Sequence, residues 1–138
     1  MKSEAAVDKE AALALSQEGC RLMRNNVGAF QDKNGQWVRY GLANESKAMN
    51  TATKSSDRIG WTIVEITPEM VGRKVAVFTA IEMKKEGYKP SGKAANAHYA
   101  AQQNFCNTVK KAGGIAGIID SAEKGVLLVR HWLQYGNS

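Results

Sequence analysis

The spacing of apolar positions changes character along this chain. Between residues 3 and 18 they recur as Val7, Ala11, Ala14 and Leu15, a helical stripe, and Gly19 stands where such a helix would end. Cys20 to Met23 reads as a short strand, and Arg24-Asn25-Asn26-Val27-Gly28 as a polar turn. Lys33-Asn34-Gly35-Gln36 is a hairpin signal, because Asn-Gly tolerates the positive φ angles of a tight turn, and Trp37-Val38-Arg39-Tyr40 supplies the returning strand. Residues 42 to 56 are small, polar and without period, so a loop is expected there. Asp57-Arg58-Ile59-Gly60-Trp61 then opens a strand running to about Thr67, and Pro68 and Gly72 bracket a turn.

Val75-Ala76-Val77-Phe78-Thr79-Ala80-Ile81 is nearly continuous apolar and β-branched sequence, the pattern of a strand buried on both faces. Antiparallel pairing with the preceding strand would bring Asp57 and Glu82 to one sheet edge. A basic loop follows, then a helix over residues 94 to 112 stopped by Gly113-Gly114, a strand over 115 to 119, and a last helix capped by Ser121 that carries Val126, Val129, Trp132 and Leu133. The expected fold class is α/β, with a mixed sheet flanked by helices. Its strand–helix–strand crossover makes part of the sheet parallel.

A length of 138 residues supports one domain spanning 1–138. The formal charge of +6 and the isoelectric point near 9.4 favour a polyanionic partner. The chain has neither a secretory h-region nor a run of about 18 apolar residues, so a cytoplasmic protein with no membrane partner is expected. Cys20 and Cys106 lack metal or redox spacing and read as small core residues with free thiols.

The chemistry concentrates where the apolar run ends in Glu82-Met83-Lys84. Strand alternation sends Glu82 and Lys84 to one face and Met83 to the other. On the helix over 94 to 112, Gln102 falls about 60° from Phe105 and faces the sheet, whereas Gln103 falls about 160° away and faces solvent. His98 also falls inward, as a half-buried or substrate-facing residue, and His131 reads as a surface residue. Asp57, Glu82 and Lys84, with Glu4 and Gln102 at the margin, form a set suited to metal-assisted phosphodiester hydrolysis. Mg²⁺ takes hard oxygen ligands, here the Asp57 and Glu82 carboxylates and the Met83 backbone carbonyl. Lys84 would orient water or offset developing negative charge. Glu4 is a further candidate ligand, and equally an ordinary acid in a first helical turn. Lys54, Arg58, Lys85, Lys89 and Lys93 surround these positions in sequence and read as phosphate contacts.

A succession of segments closely resembles the VRR-NUC nuclease family of the PD-(D/E)xK, restriction-endonuclease-like superfamily. These are Ser56-Asp57 with Ile59-Gly60-Trp61-Thr62, Ile66-Thr67-Pro68-Glu69-Met70-Val71-Gly72-Arg73, Ala80-Ile81-Glu82-Met83-Lys84, Gln102-Gln103-Asn104-Phe105 and Ala112-Gly113-Gly114-Ile115-Ala116-Gly117. Glu4-Ala5-Ala6 and Arg24-Asn25-Asn26-Val27-Gly28 are similar to the family's N-terminal helix and following motif. Stand-alone members are typical of bacteriophages and prophages. The resemblance implies a restriction-endonuclease-like core and a structure-specific DNA endonuclease using Mg²⁺ or Mn²⁺. It further implies a Holliday-junction resolvase acting as a homodimer, with Glu4, Asp57, Glu82, Lys84 and Gln102 at the active site and Arg24, Asn25 and His98 toward DNA. Two departures stand out: Lys54-Ser55 precede Ser56 where a glycine is usual, and the segment after Lys84 is longer and richer in lysine.

Overall fold

In the computed structural model, which describes residues 1–137, helix α1 (Glu4–Gln17) begins at Ser3, whose Oγ accepts the Ala6 N–H at 3.2 Å. This cap replaces one of the hydrogen bonds a helix start lacks. The stripe read from sequence is not the packed one. Val7, Leu13 and Leu15 are exposed, while Asp8, Ala11 and Ala12 are half-buried. A charged residue therefore sits on the packed side, for a reason found in the strands.

Strand β1 (Cys20–Arg24) pairs antiparallel with β4 (Arg58–Thr62), Leu22 opposite Gly60 and Arg24 opposite Arg58. Strands β2 (Gly28–Gln31) and β3 (Trp37–Tyr40) form the expected hairpin. In its turn the Asp32 carboxylate accepts the Asn34 and Gln36 N–H groups at 2.8 and 2.9 Å, and Gly35 takes a φ of 79°. The segment expected to be a plain loop holds helix α2 (Lys47–Ala52), capped by Ser46, and the buried Asn44. Asn44 Nδ2 donates to the Gly28 and Tyr40 carbonyls, both at 2.8 Å, and its Oδ1 accepts from Arg39. The amide thus closes the end of the hairpin where Gly28 and Tyr40 face each other.

The chain divides into two compact units, Met1–Thr62 and Ile63–Ser138. In the second, a short 3-10 turn at Pro68–Met70 precedes β5 (Thr79–Met83), helix α3 (Lys93–Lys111), β6 (Ile115–Ile119) and helix α4 (Ala122–Tyr135). β5 and β6 are parallel, Glu82 opposite Ile118, with α3 as the crossover. Cys106 and Val109 of α3 and Ile115 and Ala116 of β6 form the buried core, and Ser121 caps α4 as expected.

Several expectations change. The central strand starts at Thr79, not at residue 75, because its ladder begins where the Ile115 N–H meets the Phe78 carbonyl at 2.9 Å; Val75 is left exposed and β5 is half-buried. β4 and β5 do not pair with each other as the sequence suggests: β4 takes its ladder from β1 and β5 from β6, each inside its own unit. Among the described residues the strands make three two-stranded ladders in place of one mixed sheet. The described residues are of mixed α/β class with four α-helices. Among the described residues no helix is long and apolar enough to cross a membrane.

Candidate functional site

Alternation along β5 distributes its side chains between two cavities. Ala80 and Glu82 line one of about 340 Å³ together with His98, Gln102, Phe105 and Cys106 of α3, and Ile81 borders it as well. Ile81 and Met83 line an apolar groove of about 740 Å³ with Ile119, Val126 and Val129. The helical count that turned Gln102 inward and Gln103 outward holds, since Gln103 is exposed. His98 is exposed and lies at the cavity rim.

Lys84 departs from simple alternation. Its stem lines the apolar groove, yet its Nζ reaches back to within 3.2 Å of Glu82 Oε1, and its side chain retains only 15% exposure. The aliphatic chain covers apolar surface while the ammonium joins the carboxylate. The Lys84 N–H donates to the Ile119 carbonyl at 2.7 Å, extending the ladder one bond past β5 and fixing where the side chain starts.

Glu82, 38% exposed, shares the cavity with Gln102, whose Oε1 is buried without a hydrogen-bond partner. A buried amide oxygen left unpaired costs about 1–3 kcal/mol, so a group that supplies positive charge or a proton there would be held. Cys106 closes the cavity floor as a neutral thiol: burial pushes its pKa up, and the nearby Glu82 charge acts in the same direction against Lys110. Among the described residues no three of His, Cys, Asp and Glu converge on one point. The oxygens that line this cavity are the Glu82 carboxylate and the Gln102 amide, hard donors that suit Mg²⁺, while Met83, whose carbonyl the sequence offers as a third, lines the apolar groove.

The remaining sequence-predicted acids meet in the first unit. Glu4 and Asp57 line a cavity of about 280 Å³ with Asp8, Arg24, Asn25 and Arg58. Arg58 grips Asp8 with two bonds, Nε to Oδ1 at 2.6 Å and Nη2 to Oδ2 at 2.8 Å, and Arg24 Nη2 lies 3.8 Å from the same carboxylate. This explains the charged residue on the packed side of α1. The Arg58 hydrogen bonds hold the Asp8 carboxyl below the usual carboxylate range, and Asp8 raises Arg58 in turn.

Asn25 clamps the segment around Asp57. Its N–H donates to the Asp57 carbonyl at 2.8 Å, its Nδ2 to Ser55 Oγ and the Ser56 carbonyl at 2.9 and 2.8 Å, and its Oδ1 accepts the Leu42 N–H at 3.2 Å. The turn ahead of Asp57 is thus built on Asn25. Arg58 and Asn25, expected to face DNA, both spend side-chain donors inside the protein. Arg24, Lys54, Lys85, Lys89 and Lys93 are exposed, Lys54 bonding to Asn50 Oδ1. Asp8 was missed by sequence reading, although its place four residues after Glu4 puts the two on one helical face.

No protein-family model, curated protein or solved structure matches this chain.

Proposed function

We propose that this chain is a metal-dependent endonuclease that hydrolyses phosphodiester bonds in branched DNA, with the four-way junction as its preferred substrate. The carrying observation is the end of β5, where the Glu82–Lys84 pair lies 3.2 Å apart and Glu82 shares a cavity with the unpartnered Gln102 Oε1. An ammonium, a carboxylate and an unfilled hard-oxygen acceptor are the groups that phosphoryl chemistry uses.

Glu82, the Met83 carbonyl and Gln102 Oε1 would hold Mg²⁺, or Mn²⁺ in its place. The bound ion supplies positive charge against the scissile phosphate. Lys84 Nζ has three N–H donors, of which Glu82 takes one. The others donate to a non-bridging phosphate oxygen, where negative charge gathers as the bond breaks. Phe105 and the thiol of Cys106 give the cavity an apolar wall beside these polar groups. Exposed Lys85, Lys89 and Lys93 hold the DNA backbone without reading sequence. The family resemblance implies that Glu4 and Asp57, which line the cavity of the first unit, are further active-site residues. It also supplies the restriction-endonuclease-like core, the homodimer in which each subunit cuts one strand, and a phage enzyme working in the bacterial cytoplasm.

The test is incubation of labelled four-way junction, flap and linear duplex with the protein in Mg²⁺, beside Glu82→Gln, Lys84→Ala and EDTA. Paired symmetric cuts in the junction are expected, falling about a hundred- to a thousandfold in each variant and vanishing with EDTA. Cutting of flaps alone would replace the resolvase with a monomeric flap or nicking nuclease. Binding without cutting would leave a DNA-binding protein.

A further inference from the structure

The loop after β5 puts an aromatic ring over the amine that the proposed reaction uses. Lys84 Nζ lies 5.1 Å from the centre of the Tyr88 ring, on which it makes a cation–π contact. Tyr88 is itself braced. Its ring stacks on Tyr99 of α3, centroids 6.3 Å apart and planes inclined by 28°, and its N–H donates to the Lys85 carbonyl at 3.0 Å. Beside it, the Gly87 N–H donates to Asp120 Oδ2 at 3.0 Å, and Asp120 is paired with Lys124 at 2.7 Å. The loop is therefore tied to the junction of β6 and α4 on one side and to α3 on the other.

A ring face has a property no carboxylate or carbonyl offers. It attracts the ammonium without accepting a directed hydrogen bond, so it restrains Lys84 without consuming the donors the phosphate needs. A lysine side chain has four rotatable carbons and loses considerable freedom when fixed. With Glu82 as its sole restraint, Nζ could swing about the carboxylate. Glu82 on one side and the Tyr88 ring on the other define one position.

We infer that Tyr88, backed by Tyr99, is the positioning residue that holds the Lys84 ammonium at the mouth of the Glu82 cavity. The inference concerns Lys84 directly, and its kinetic arm rests on the nuclease reading above. The hydroxyl plays no part, so Phe serves as well as Tyr.

Two readouts on Tyr88→Leu and Tyr88→Phe test it in the full chain. The first is the acylation rate of Lys84 by acetic anhydride, followed by peptide mass spectrometry with Lys110 and Lys111 as internal references. Removing the ring uncovers Nζ, so Tyr88→Leu should raise acylation at Lys84 several-fold and leave the references unchanged, while Tyr88→Phe matches the parent. The second is the single-turnover cleavage rate of junction DNA. It should fall roughly tenfold to a hundredfold in Tyr88→Leu, with unchanged DNA affinity and with Tyr88→Phe as active as the parent. Should Tyr88→Leu melt early, Tyr88→Met carries the same expectations. Unchanged acylation in Tyr88→Leu, or a Phe variant as impaired as the Leu variant, would overturn the inference. A parent protein that cuts no DNA, with the acylation pattern as expected, would overturn the nuclease reading and leave the positioning role standing.

Discussion

Arg58 closes on Asp8 with two parallel hydrogen bonds of 2.6 and 2.8 Å, linking the helix that carries Glu4 to the strand that follows Asp57. A pair of that geometry ties down both elements in a way a single contact does not. Its cost in acid follows from the direction of the Asp8 shift. The folded-state carboxyl lies below its ordinary value, so its stabilisation is complete above the unfolded value of about 3.9 and is lost as pH falls through the lower, folded one. Asp120, held down first by Lys124 and then by the Gly87 N–H, acts in the same sense. Thermal midpoints at about pH 6 and about pH 2.5 should therefore differ less in Asp8→Asn than in the parent; equal differences would deny the bridge a role.

Gln102 offers a test in which stability and activity move apart. Gln102→Leu removes an unsatisfied buried oxygen from a largely apolar wall, so the chain should gain about 1 kcal/mol in denaturant unfolding. The same variant should need more Mg²⁺ for half-maximal cleavage. A stability gain with an unchanged Mg²⁺ requirement would mean that Gln102 does not serve the ion.

Asn25 and Lys89 separate clamp from DNA contact. Asn25→Ala breaks the bonds that hold Ser55, Ser56 and Leu42 and should cost about 1–3 kcal/mol of stability, with no change in the salt dependence of DNA binding. Lys89→Ala should leave stability intact and lower the slope of log affinity against log salt by about 1. Affinity of both variants measured across a salt series decides the matter.

Gly60 is the position in β4 where no side chain fits. A Cβ there would lie 1.8 Å from the Arg21 carbonyl oxygen and 3.1 Å from Leu22 Cα, backbone atoms that cannot swing aside. Gly60→Ala should destabilise the β1–β4 ladder by about 3 kcal/mol, read as a lower midpoint of chemical unfolding.

What could be read from sequence was local. Gly19 and Ser121 mark helix ends, one through its backbone freedom and the other through its hydroxyl, Asn34-Gly35 marks its turn, and the period of α3 sorts Gln102 from Gln103. The parallel crossover followed from element order. Partner choice was not legible, because the apolar faces of β4 and β5 look alike to any strand: their ladders run to β1 and β6, decided by contacts distant in sequence. Asn44 escaped notice because a single buried amide has no period, and it becomes a structural residue only when two carbonyls converge on it. Of the candidate site, Glu82, Lys84 and Gln102 came from the strand end and the helix face, and Glu4 and Asp57 do share a cavity. The antiparallel pairing that was to join Asp57 to Glu82 was an argument from a ladder that β4 and β5 do not make. Asp8 and Tyr88 are defined by partners 50 and 4 residues away, Arg58 and Lys84, that neither local pattern announces.

The division of β5 between a polar cavity and an apolar groove also governs assembly. A slip of one residue against β6 would turn Glu82 into the groove lined by Ile119, Val126 and Val129 and send Met83 toward α3. Misaligned chains would strand a carboxylate among aliphatic side chains, a heavy penalty compared with the loss of a few dispersion contacts. The acidic residue at this strand end thus weighs against misaligned pairings and favours the observed register.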